Sequence, residues 1–424
     1  MRWHRKPLRR AGNGPGETPP KLHKEPHRVG IVGTFDVENY GDLLFPVVAQ
    51  AALGRRLNAV EVVPFSPNPQ AAPAWPYDVF STLDLPEVLP SLAALLIGGG
   101  QIIRFDTGYP IPTDPRVRLP VDYWLTPAAL GALAGKPVIW NAIGAWTGSP
   151  AAPWYDELVK ATLAASHFVG LRDEPSRDHL ALLAPAADLH ILPDTVFSLA
   201  RLWPLARESV DFAAWRKSLD IRGRYVILQA DQRLGPSRPA IDALITGSGV
   251  ETTVLLPVCR CHGDASEGLP ALPSGATVRS GWPAPRLLSE IIGRSEAVVA
   301  SSLHACITAI SYGVPVVRVP SFNVADRKFE MLDSFAGVAA VDRPAAVAAV
   351  LRRGRGPEPR ALNYADRLDA YWDRVVDVVL NPQRHAASRS TALMLHWATS
   401  LFPIAAPAAR SAGVQGEMTP DTPS

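Results

Sequence analysis

One histidine is set apart by the segment around it. His304 follows a short apolar run, residues 297–300, and two serines. Ser301 and Ser302 are candidate N-caps for the helical pattern that comes next, so the segment predicts a strand, a tight loop and a helix. Backbone N–H groups and the helix dipole at such a corner favour an anion. His304 is therefore the leading candidate for a general acid, although a histidine hydrogen-bonded in a half-buried turn would show the same pattern.

A second group of polar residues follows the first apolar run of the chain. Asp36, Asn39, Gly41 and Asp42 lie between residues 29–34 and a helical pattern. Carboxylates at this place would repel a phosphate, and with Asn39 they suit the hydroxyls of a neutral sugar. Asp36 or Asp42 is a candidate base for such a hydroxyl. A structural role stays open, in which Asp42 caps the helix and the other two residues make the turn.

Glycines and cations complete the candidate site. The glycine run at residues 98–100 would let a ligand approach the backbone at Gly99 and Gly100. The run matches neither the dinucleotide-binding nor the P-loop spacing, so neither NAD nor ATP is predicted. Surface or strand-end ion pairs remain an alternative for each candidate cation. The candidate anion ligands, and one aspartate that would support a loop or the site, are Arg172, Arg327, Lys328 and Asp194.

Length and charge limit the class of protein. A chain of 424 residues is long enough for two domains, each with its own core. The 42 Lys and Arg are offset by 40 Asp and Glu, so no nucleic acid partner is expected. No apolar run reaches the length of about 18 residues that a transmembrane segment needs. We expect a cytoplasmic protein whose basic first residues could touch an anionic membrane surface from the inner side.

The cysteines give no complete metal site in the sequence. Cys259, Cys261 and His262 lie close together, but no second pair of Cys or His at zinc-finger spacing accompanies them. The third cysteine, Cys306, makes the number odd, so a full disulfide framework is not expected either. We therefore predict no metal and no other cofactor.

Short apolar runs alternate with longer helical patterns, which is typical of parallel α/β units. The two series of runs predict two stacked Rossmann-like domains. The last two helices would either close the second domain or pack back on the first. Strands are predicted at residues 29–34, 59–64, 92–97, 137–140, 167–171, 190–192, 225–229, 252–256, 297–300 and 314–319. Helices are predicted at residues 42–57, 126–134, 152–165, 174–183, 236–246, 284–293, 342–354 and 364–380.

Six motifs, in this order, resemble the polysaccharide pyruvyl transferases. The resemblance covers roughly residues 28–335 and departs from the common pattern at Ser302, where many members carry arginine before Leu-His. Other members carry the Ser-Leu-His version together with a downstream Lys-Phe like Lys328-Phe329. The motifs are NYGD at 39–42, IGGG at 97–100, GLRDEPS at 170–176, LPDTVF at 192–197, SSLHACITAISYGVP at 301–315 and RKFEMLD at 327–333.

The resemblance implies a GT-B-like fold with the active site in the interdomain cleft. It implies transfer of the pyruvyl group of phosphoenolpyruvate to sugar hydroxyls of a polysaccharide or its lipid-linked precursor, giving a ketal. The donor carries a phosphate and a carboxylate, so its pocket needs two cations, or one cation and a helix N-terminus. His304 would protonate the enol carbon. Asp36, Asn39 and Asp42 would face the acceptor.

Domain boundaries follow from the two series and the resemblance. Residues 1–27 are expected to be a disordered basic arm, 28–196 an N-terminal acceptor domain and 197–223 a linker. Residues 224–382 are expected to be a C-terminal donor domain with closing helices, and 383–424 a C-terminal helix and disordered tail.

Two other functions remain open: a GT-B sugar-nucleotide glycosyltransferase, and a non-catalytic homologue that binds glycan. In each case residues 39–42 and 301–304 are expected to face each other across the cleft.

Overall fold

The architecture is taken from a computed structural model. It describes residues 26–105, 116, 123–146, 153–231, 234, 237, 239–242, 250, 252–265, 276–319 and 327–385. The predicted basic arm lies almost wholly outside these residues, as does the chain after residue 385. Most of the helix predicted at 236–246 also lies outside them.

Seven parallel strands form the N-terminal sheet, in the order β3-β2-β1-β4-β5-β6-β7. The order reverses beside β1, which pairs with β2 on one side and β4 on the other. Open α/β sheets bind ligands at such a switch point, beyond the carboxyl ends of the strands. The strands are β1 His27–Val32, β2 Val60–Ser66, β3 Phe80–Ser81, β4 Ala94–Ile97, β5 Val138–Ile143, β6 Phe168–Leu171 and β7 Leu189–Ile191.

Helices connect these strands and lead out of the sheet. Short 3-10 turns at Thr82–Asp84, Leu89–Ser91 and Thr195–Ser198 supplement them. The helices of this half and of the crossing that follows it are α1 Tyr40–Gly54, α2 Leu85–Val88, α3 Leu125–Leu133, α4 Pro153–Ala165, α5 Glu174–Leu183, α6 Leu199–Leu202 and α7 Val210–Ser218.

The C-terminal sheet has six parallel strands in the order β10-β9-β8-β11-β12-β13. Its order reverses between β8 and β11, so this sheet has a switch point of its own. Turns of 3-10 helix lie at Arg260–His262, Arg327–Leu332 and Pro382–Arg384. The strands and helices are β8 Tyr225–Gln229, β9 Thr252–Leu256, β10 Ala276–Arg279, α8 Pro285–Arg294, β11 Val298–Ala300, α9 Leu303–Ser311, β12 Val316–Arg318, β13 Val338–Ala340, α10 Pro344–Arg353 and α11 Pro359–Leu380.

Both sheets are buried on both faces, as parallel sheets are. One large apolar cluster runs through the two halves, from Val29 in β1 to Val298 in β11, and includes Phe197 and Trp372. Two smaller clusters cover the outer faces of the sheets. The shared cluster joins the two α/β domains through an apolar core.

Helix α11 packs back on the N-terminal half, one of the two placements left open by the sequence. The Tyr371 hydroxyl donates to Asn141 Oδ1 of β5 at 2.8 Å, and Arg367 Nη2 donates to the carbonyl oxygen of Ile191 at 2.6 Å. Arg56, in the turn that follows α1, forms an ion pair with Asp369 of α11. The atoms Arg56 Nη2 and Asp369 Oδ1 are 2.9 Å apart. Helix α10 instead packs against β13.

The sequence predicted ten strands, and each is found close to its expected bounds. It missed β3, which has two residues, β10, whose sequence ATVR is not a continuous apolar run, and β13, whose sequence VAA is rich in alanine, a poor strand former. The crossing at 197–223 contains α6 and α7. None of the helices in the described part of the chain combines the length and apolar character needed to cross a bilayer.

Candidate active site

The first turn of α1 is shaped by Asn39. Its Oδ1 accepts from the backbone N–H of Gly41 at 3.2 Å, so Asn39, and not Asp42, is the N-cap. Its Nδ2 donates to Asp42 Oδ2 at 2.8 Å. Asp42 therefore lies inside the first turn, where its side chain also bonds to Thr34.

The two segments expected on opposite walls of the cleft lie face to face. A β-carbon added to Gly41 would come within 1.8 Å of His304 Nδ1. The backbone N–H of Tyr40 donates to the carbonyl oxygen of Val258 at 2.9 Å. The Tyr40 hydroxyl lies 2.8 Å from Thr308 Oγ1 in α9. Helix α1 of the N-terminal half is thus in direct contact with α9 of the C-terminal half.

His304 is held by a buried carboxylate. Its Nε2 lies 3.2 Å from Asp194 Oδ2, and the Asp194 side chain is fully buried. The other carboxylate oxygen, Oδ1, accepts from the backbone N–H of Val196 at 3.0 Å. The Phe45 ring meets the imidazole edge-on, with centroids 5.3 Å apart. Because Nε2 is engaged by Asp194, Nδ1 is the ring nitrogen that faces Gly41 and the start of α1.

A buried arginine lies in the same region. Arg172 is 3% exposed and follows β6. Its Nε donates to Asp173 Oδ2 at 3.1 Å, while Nη2 has no hydrogen-bond partner among the described residues. Gly144 makes room for the guanidinium, since a β-carbon there would lie 2.6 Å from Nε. The structural ion pair considered from the sequence therefore exists, and it leaves Nη2, with its two N–H groups, to suit a carboxylate or phosphate oxygen.

We call His304, Asp194, Arg172 and Asp42 the cleft cluster, because their charges act on one another. Burial raises the pKa of Asp42 to about 6, although His304, a Thr34 hydrogen bond and Arg172 oppose the shift. Burial would also raise the pKa of Asp194, but His304 and Arg172 outweigh it and hold that pKa below its usual value. Asp194 is thus a permanent carboxylate, whereas Asp42 can exchange a proton near neutral pH.

Asp36 lies nearby and is less completely bonded. Its Oδ2 accepts from Asn68 Nδ2 at 2.8 Å and from the Asn68 backbone at 3.0 Å. No described residue hydrogen-bonds to its buried Oδ1. Burial raises the pKa of Asp36 to about 6. The negative charge of Asp36 also raises the pKa of Asp42, so the ionisation of one carboxylate affects that of the other.

The raised pKa of Asp36 predicts a pH-dependent effect of Asp36→Asn. The folded protein holds this proton up to about pH 6, whereas an unfolded chain loses it near pH 4. The folded state therefore binds more protons between these values, and the wild-type free energy of unfolding falls as pH rises through them. Asp36→Asn should raise the free energy of unfolding by about 1 to 3 kcal/mol above pH 6, with less gain near pH 4.

Urea denaturation at both pH values measures this difference. Asp84→Asn is the control, because Asp84 is exposed and makes no capping bond at α2. An equal gain for Asp36→Asn at both pH values would show that Asp36 does not hold a proton in the folded state.

The corner before α9 is fixed from β8. Gln229 Oε1 accepts from the backbone N–H groups of Ser301 and Ser302, each at 2.9 Å. Ser301 Oγ donates to Asp231 Oδ2 at 2.9 Å, and Ser302 Oγ caps α9 by accepting from the backbone N–H of Ala305 at 3.4 Å. Ser302 is therefore the N-cap. Because these N–H groups are already bonded, binding of an anion here depends more on cationic side chains than the sequence indicated.

The glycine run packs against α1. Gly98, Gly99 and Gly100 have φ values of 81°, 111° and 77°, a region that favours glycine. A β-carbon on Gly99 would overlap the Phe45 ring at 2.2 Å, and one on Gly100 would lie 2.7 Å from Asp42 Oδ1. These contacts explain the glycines by close packing. They also set Gly100 against a carboxylate of the cleft cluster.

The two cations after β12 differ from Arg172. Arg327 is exposed and forms a double hydrogen bond to Glu330, at 2.6 and 2.8 Å. Lys328 Nζ lies 5.3 Å from the centre of the Phe329 ring. The positive charge of Lys328 also acts on Cys306 in α9, where it opposes the rise in pKa that burial causes. Arg327 is thus a surface ion pair, while Lys328 lies closer to the helix that carries His304.

Several residues of the site were not singled out from the sequence. Gln229 orders the loop before His304, Gly144 accommodates Arg172, and Thr34 bonds to Asp42. Each lies at the carboxyl end of its strand or just beyond it, namely β8, β5 and β1. Their signal in the sequence is this place at the carboxyl ends of predicted strands, where open α/β sheets bind ligands.

The contact between Gly41 and His304 predicts the effect of a single methyl group. Gly41→Ala would place a β-carbon 1.8 Å from His304 Nδ1, so α1 or His304 must move. We expect a loss of activity together with about 1 to 3 kcal/mol of stability, as for other overpacked sites. Steady-state kinetics and thermal melts measure both effects.

Gly54→Ala at the other end of α1 is the matched control. Its nearest neighbour would be Gln50 Nε2 at 3.9 Å, so the added methyl group fits. Full activity in Gly41→Ala would mean that α1 and His304 are not in contact in the working protein.

Solved structures of other proteins share this fold. UDP-GlcNAc 2-epimerase from Neisseria meningitidis, bound to UDP-GlcNAc, matches with a TM-score of 0.50 and 11% identity, over 84% of this chain and 100% of the epimerase chain. UDP-N-acetylglucosamine 2-epimerase from Rickettsia bellii matches with a TM-score of 0.50 and 13% identity, over 85% and 98% of the two chains. At such identities the likeness shows the fold alone, which is GT-B-like with two Rossmann-like domains.

Sequence comparison gives the family. No curated protein sequence matches the chain. The family described as polysaccharide pyruvyl transferase matches residues 39–321, a range that starts at the cap of α1 and includes the whole cleft cluster. Since this match covers more than half of the 424 residues, the chain belongs to the polysaccharide pyruvyl transferase family.

Proposed function

We propose that the protein transfers the pyruvyl group of phosphoenolpyruvate to sugar hydroxyls of a polysaccharide or its lipid-linked precursor, giving a ketal. Membership of the family supports the class of reaction. The observation that carries the proposal is the buried Arg172, whose Nη2 lacks a partner among the described residues. Its charge acts on Asp42 and Asp194, so an anion bound to it would lie in the same cleft as His304.

Binding of the donor needs positive charge. Arg172 Nη2 would donate to the carboxylate or phosphate of phosphoenolpyruvate, a charge-assisted bond in a buried place. Protonated His304 would supply the second positive charge. Lys328 is a third candidate from the 3-10 turn at Arg327–Leu332. Arg327 is a weaker candidate, because Glu330 already occupies its guanidinium on the surface.

Protonation of the donor falls to His304. Asp194 holds Nε2, so the proton to be transferred is the one on Nδ1, and the donor must reach that nitrogen beside Gly41, which packs against it. Transfer to the methylene carbon uses the electron pair of the carbon–carbon double bond. It makes a methyl group and leaves positive charge on the carbon that bears the phosphate. Asp194 orients the ring and stabilises its protonated form, as the aspartate does in serine protease triads.

Attack by the sugar follows on that electron-poor carbon. A hydroxyl oxygen forms the new carbon–oxygen bond, and Asp42, with its pKa near 6, takes the hydroxyl proton. A second hydroxyl then displaces phosphate and closes the ketal, and its proton leaves with the phosphate or returns to His304. Each bond formed is matched by one broken, so the scheme needs no oxidant or reductant.

The acceptor would lie along the start of α1. Asp36 Oδ1 and the Asn39 side chain are polar groups that suit sugar hydroxyls. Gly41, Gly99 and Gly100 would keep the surface next to Asp42 free of side chains. Ser301 and Ser302 would act indirectly. Ser301 bonds to Asp231 and Ser302 caps α9, so both help to hold the corner that positions His304.

Ligand binding tests the proposal without needing turnover. Calorimetric titration and thermal melts with phosphoenolpyruvate should show saturable binding and a higher melting temperature. UDP-GlcNAc, phosphate, pyruvate and a model glycan are the comparison ligands. Binding of UDP-GlcNAc without binding of phosphoenolpyruvate would favour a sugar-nucleotide glycosyltransferase. Binding of a glycan alone would favour a non-catalytic homologue, and either result would overturn the proposal.

A further inference from the structure

Two thiols and an imidazole lie together at the junction of the two halves. Cys259, Cys261 and His262, which we call the thiol cluster, follow β9. The two sulfur atoms are 3.5 Å apart, and a nitrogen of His262 lies within 4.8 Å of both. Both cysteines are free thiols. Cys259 is buried, whereas the other two side chains are exposed at the surface.

This spacing matches a tetrahedral metal site. Two thiolates on one zinc ion, with Zn–S bonds of about 2.3 Å, lie about 3.8 Å apart. A thiolate and an imidazole nitrogen on the same ion lie about 3.6 Å apart. The cluster needs only small side-chain adjustments to reach these values. Soft sulfur ligands with one imidazole favour zinc over magnesium or calcium.

A carboxylate lies next to the cluster. Asp264 Oδ2 accepts from the backbone N–H groups of Val258 and Cys259, at 3.0 and 2.9 Å. Without a cation, two thiolates 3.5 Å apart would repel each other and this carboxylate. A divalent cation would turn this repulsion into attraction and deprotonate the thiols.

The backbone of the cluster is connected to the cleft. Cys259 and Asn39 form an antiparallel bridge, and the Cys261 N–H donates to the carbonyl oxygen of Glu38 at 3.4 Å. Asp264 Oδ2 accepts from the backbone N–H of Cys259 at 2.9 Å and also from Gln229, which orders the corner before α9. A metal here would hold both walls of the cleft in register.

Against the expectation from the sequence that no metal binds, we propose that Cys259, Cys261 and His262 bind one zinc ion, with the fourth position left to water or another ligand. The ion has a positioning role. It fixes the segment after β9 against the start of α1, and it touches neither donor nor acceptor. This site stands apart from the proposed reaction, because it rests only on the thiol cluster and its backbone contacts.

Metal analysis of the untagged protein tests the site. The wild type, purified with zinc and without chelators, should hold one zinc ion per chain by mass spectrometry of the metal. Cys261→Ser and His262→Ala change exposed side chains, so both variants should fold. In competition with a chromophoric chelator, each should bind zinc at least about tenfold more weakly, since loss of even an outer partner costs that much.

Cys306→Ala is the matched control for losing a thiol. Cys306 is buried in α9 and outside the cluster, so its variant should keep zinc with wild-type affinity. Zinc should also protect Cys259 and Cys261, read by peptide mass spectrometry, from alkylation. Equal zinc affinity in the wild type and Cys261→Ser would mean that the metal binds elsewhere. That result, or a Cys259–Cys261 disulfide that zinc does not prevent, would overturn the proposal.

Discussion

His304→Ala is expected to lower kcat by at least about a hundredfold, the usual effect of removing a general acid. The imidazole is held at Nε2 by Asp194, and Nδ1 is directed to the start of α1. Its proton transfer occurs in the transition state, so kcat should fall far more than KM for phosphoenolpyruvate rises. Steady-state kinetics with both substrates measure the two parameters, and circular dichroism checks the fold.

His190→Ala is the matched control for this change. His190 Nε2 also contacts an aspartate, Asp188, at 3.0 Å, but that pair lies on the surface beyond the cleft. Its loss should leave kcat nearly unchanged. A folded His304→Ala variant with the wild-type rate would remove His304 from the mechanism, and the proton would have to come from another acid.

Arg172→Met is expected to weaken binding of phosphoenolpyruvate by about 1.5 to 3 kcal/mol, the range of a charge-assisted hydrogen bond, or about 10- to 150-fold in Kd. Nη2 is a buried donor without a partner among the described residues, so the ligand would supply the missing acceptor. Arg172→Lys keeps the positive charge but loses the planar guanidinium group. Its affinity for phosphoenolpyruvate should therefore lie between those of the wild type and Arg172→Met. Calorimetric titration without acceptor gives each Kd.

Arg327→Gln is the control for a surface cation. Arg327 is exposed and already paired with Glu330, so its loss should change the Kd little. Asp173 keeps its bond from the backbone N–H of Ser176 at 2.9 Å in Arg172→Met, which helps that variant to fold. A folded Arg172→Met variant with unchanged affinity would show that the donor binds elsewhere. A larger effect of Arg327→Gln than of Arg172→Met would move the donor to the 3-10 turn after β12.

The architecture could be predicted because the strands of a parallel sheet are continuous runs of apolar residues in the sequence. Residues 94–97 and 225–229 are buried throughout, and each was recognised from composition alone. The corner around His304 was also recognised, since Ser302 caps α9 as expected. Strand β13 has the sequence Val-Ala-Ala, in which alanine is a poor strand former, and it pairs with β12 over its three residues. Local sequence carries too little signal for such elements.

The site was harder to predict, because its chemistry depends on contacts between distant segments. Nothing local shows that Asp194 would meet His304, 110 positions later, or that Gly41 makes room for the same ring. Arg172 already lay in the predicted N-terminal half, but nothing local showed that its buried charge would act on Asp42 and Asp194. Burial, which raises the pKa of Asp42, is likewise a property of the folded chain.

Turnover of phosphoenolpyruvate with a glycan acceptor is the most direct test of the proposed function. The wild-type protein is incubated with phosphoenolpyruvate labelled in its three carbons and a panel of lipid-linked or model glycosides. Released phosphate and the mass of the sugar are followed together. The account predicts one phosphate released for each labelled pyruvyl group gained by the sugar, and loss of both signals in His304→Ala. Phosphate release without label on any sugar, or transfer of a sugar from UDP-GlcNAc in its place, would contradict it.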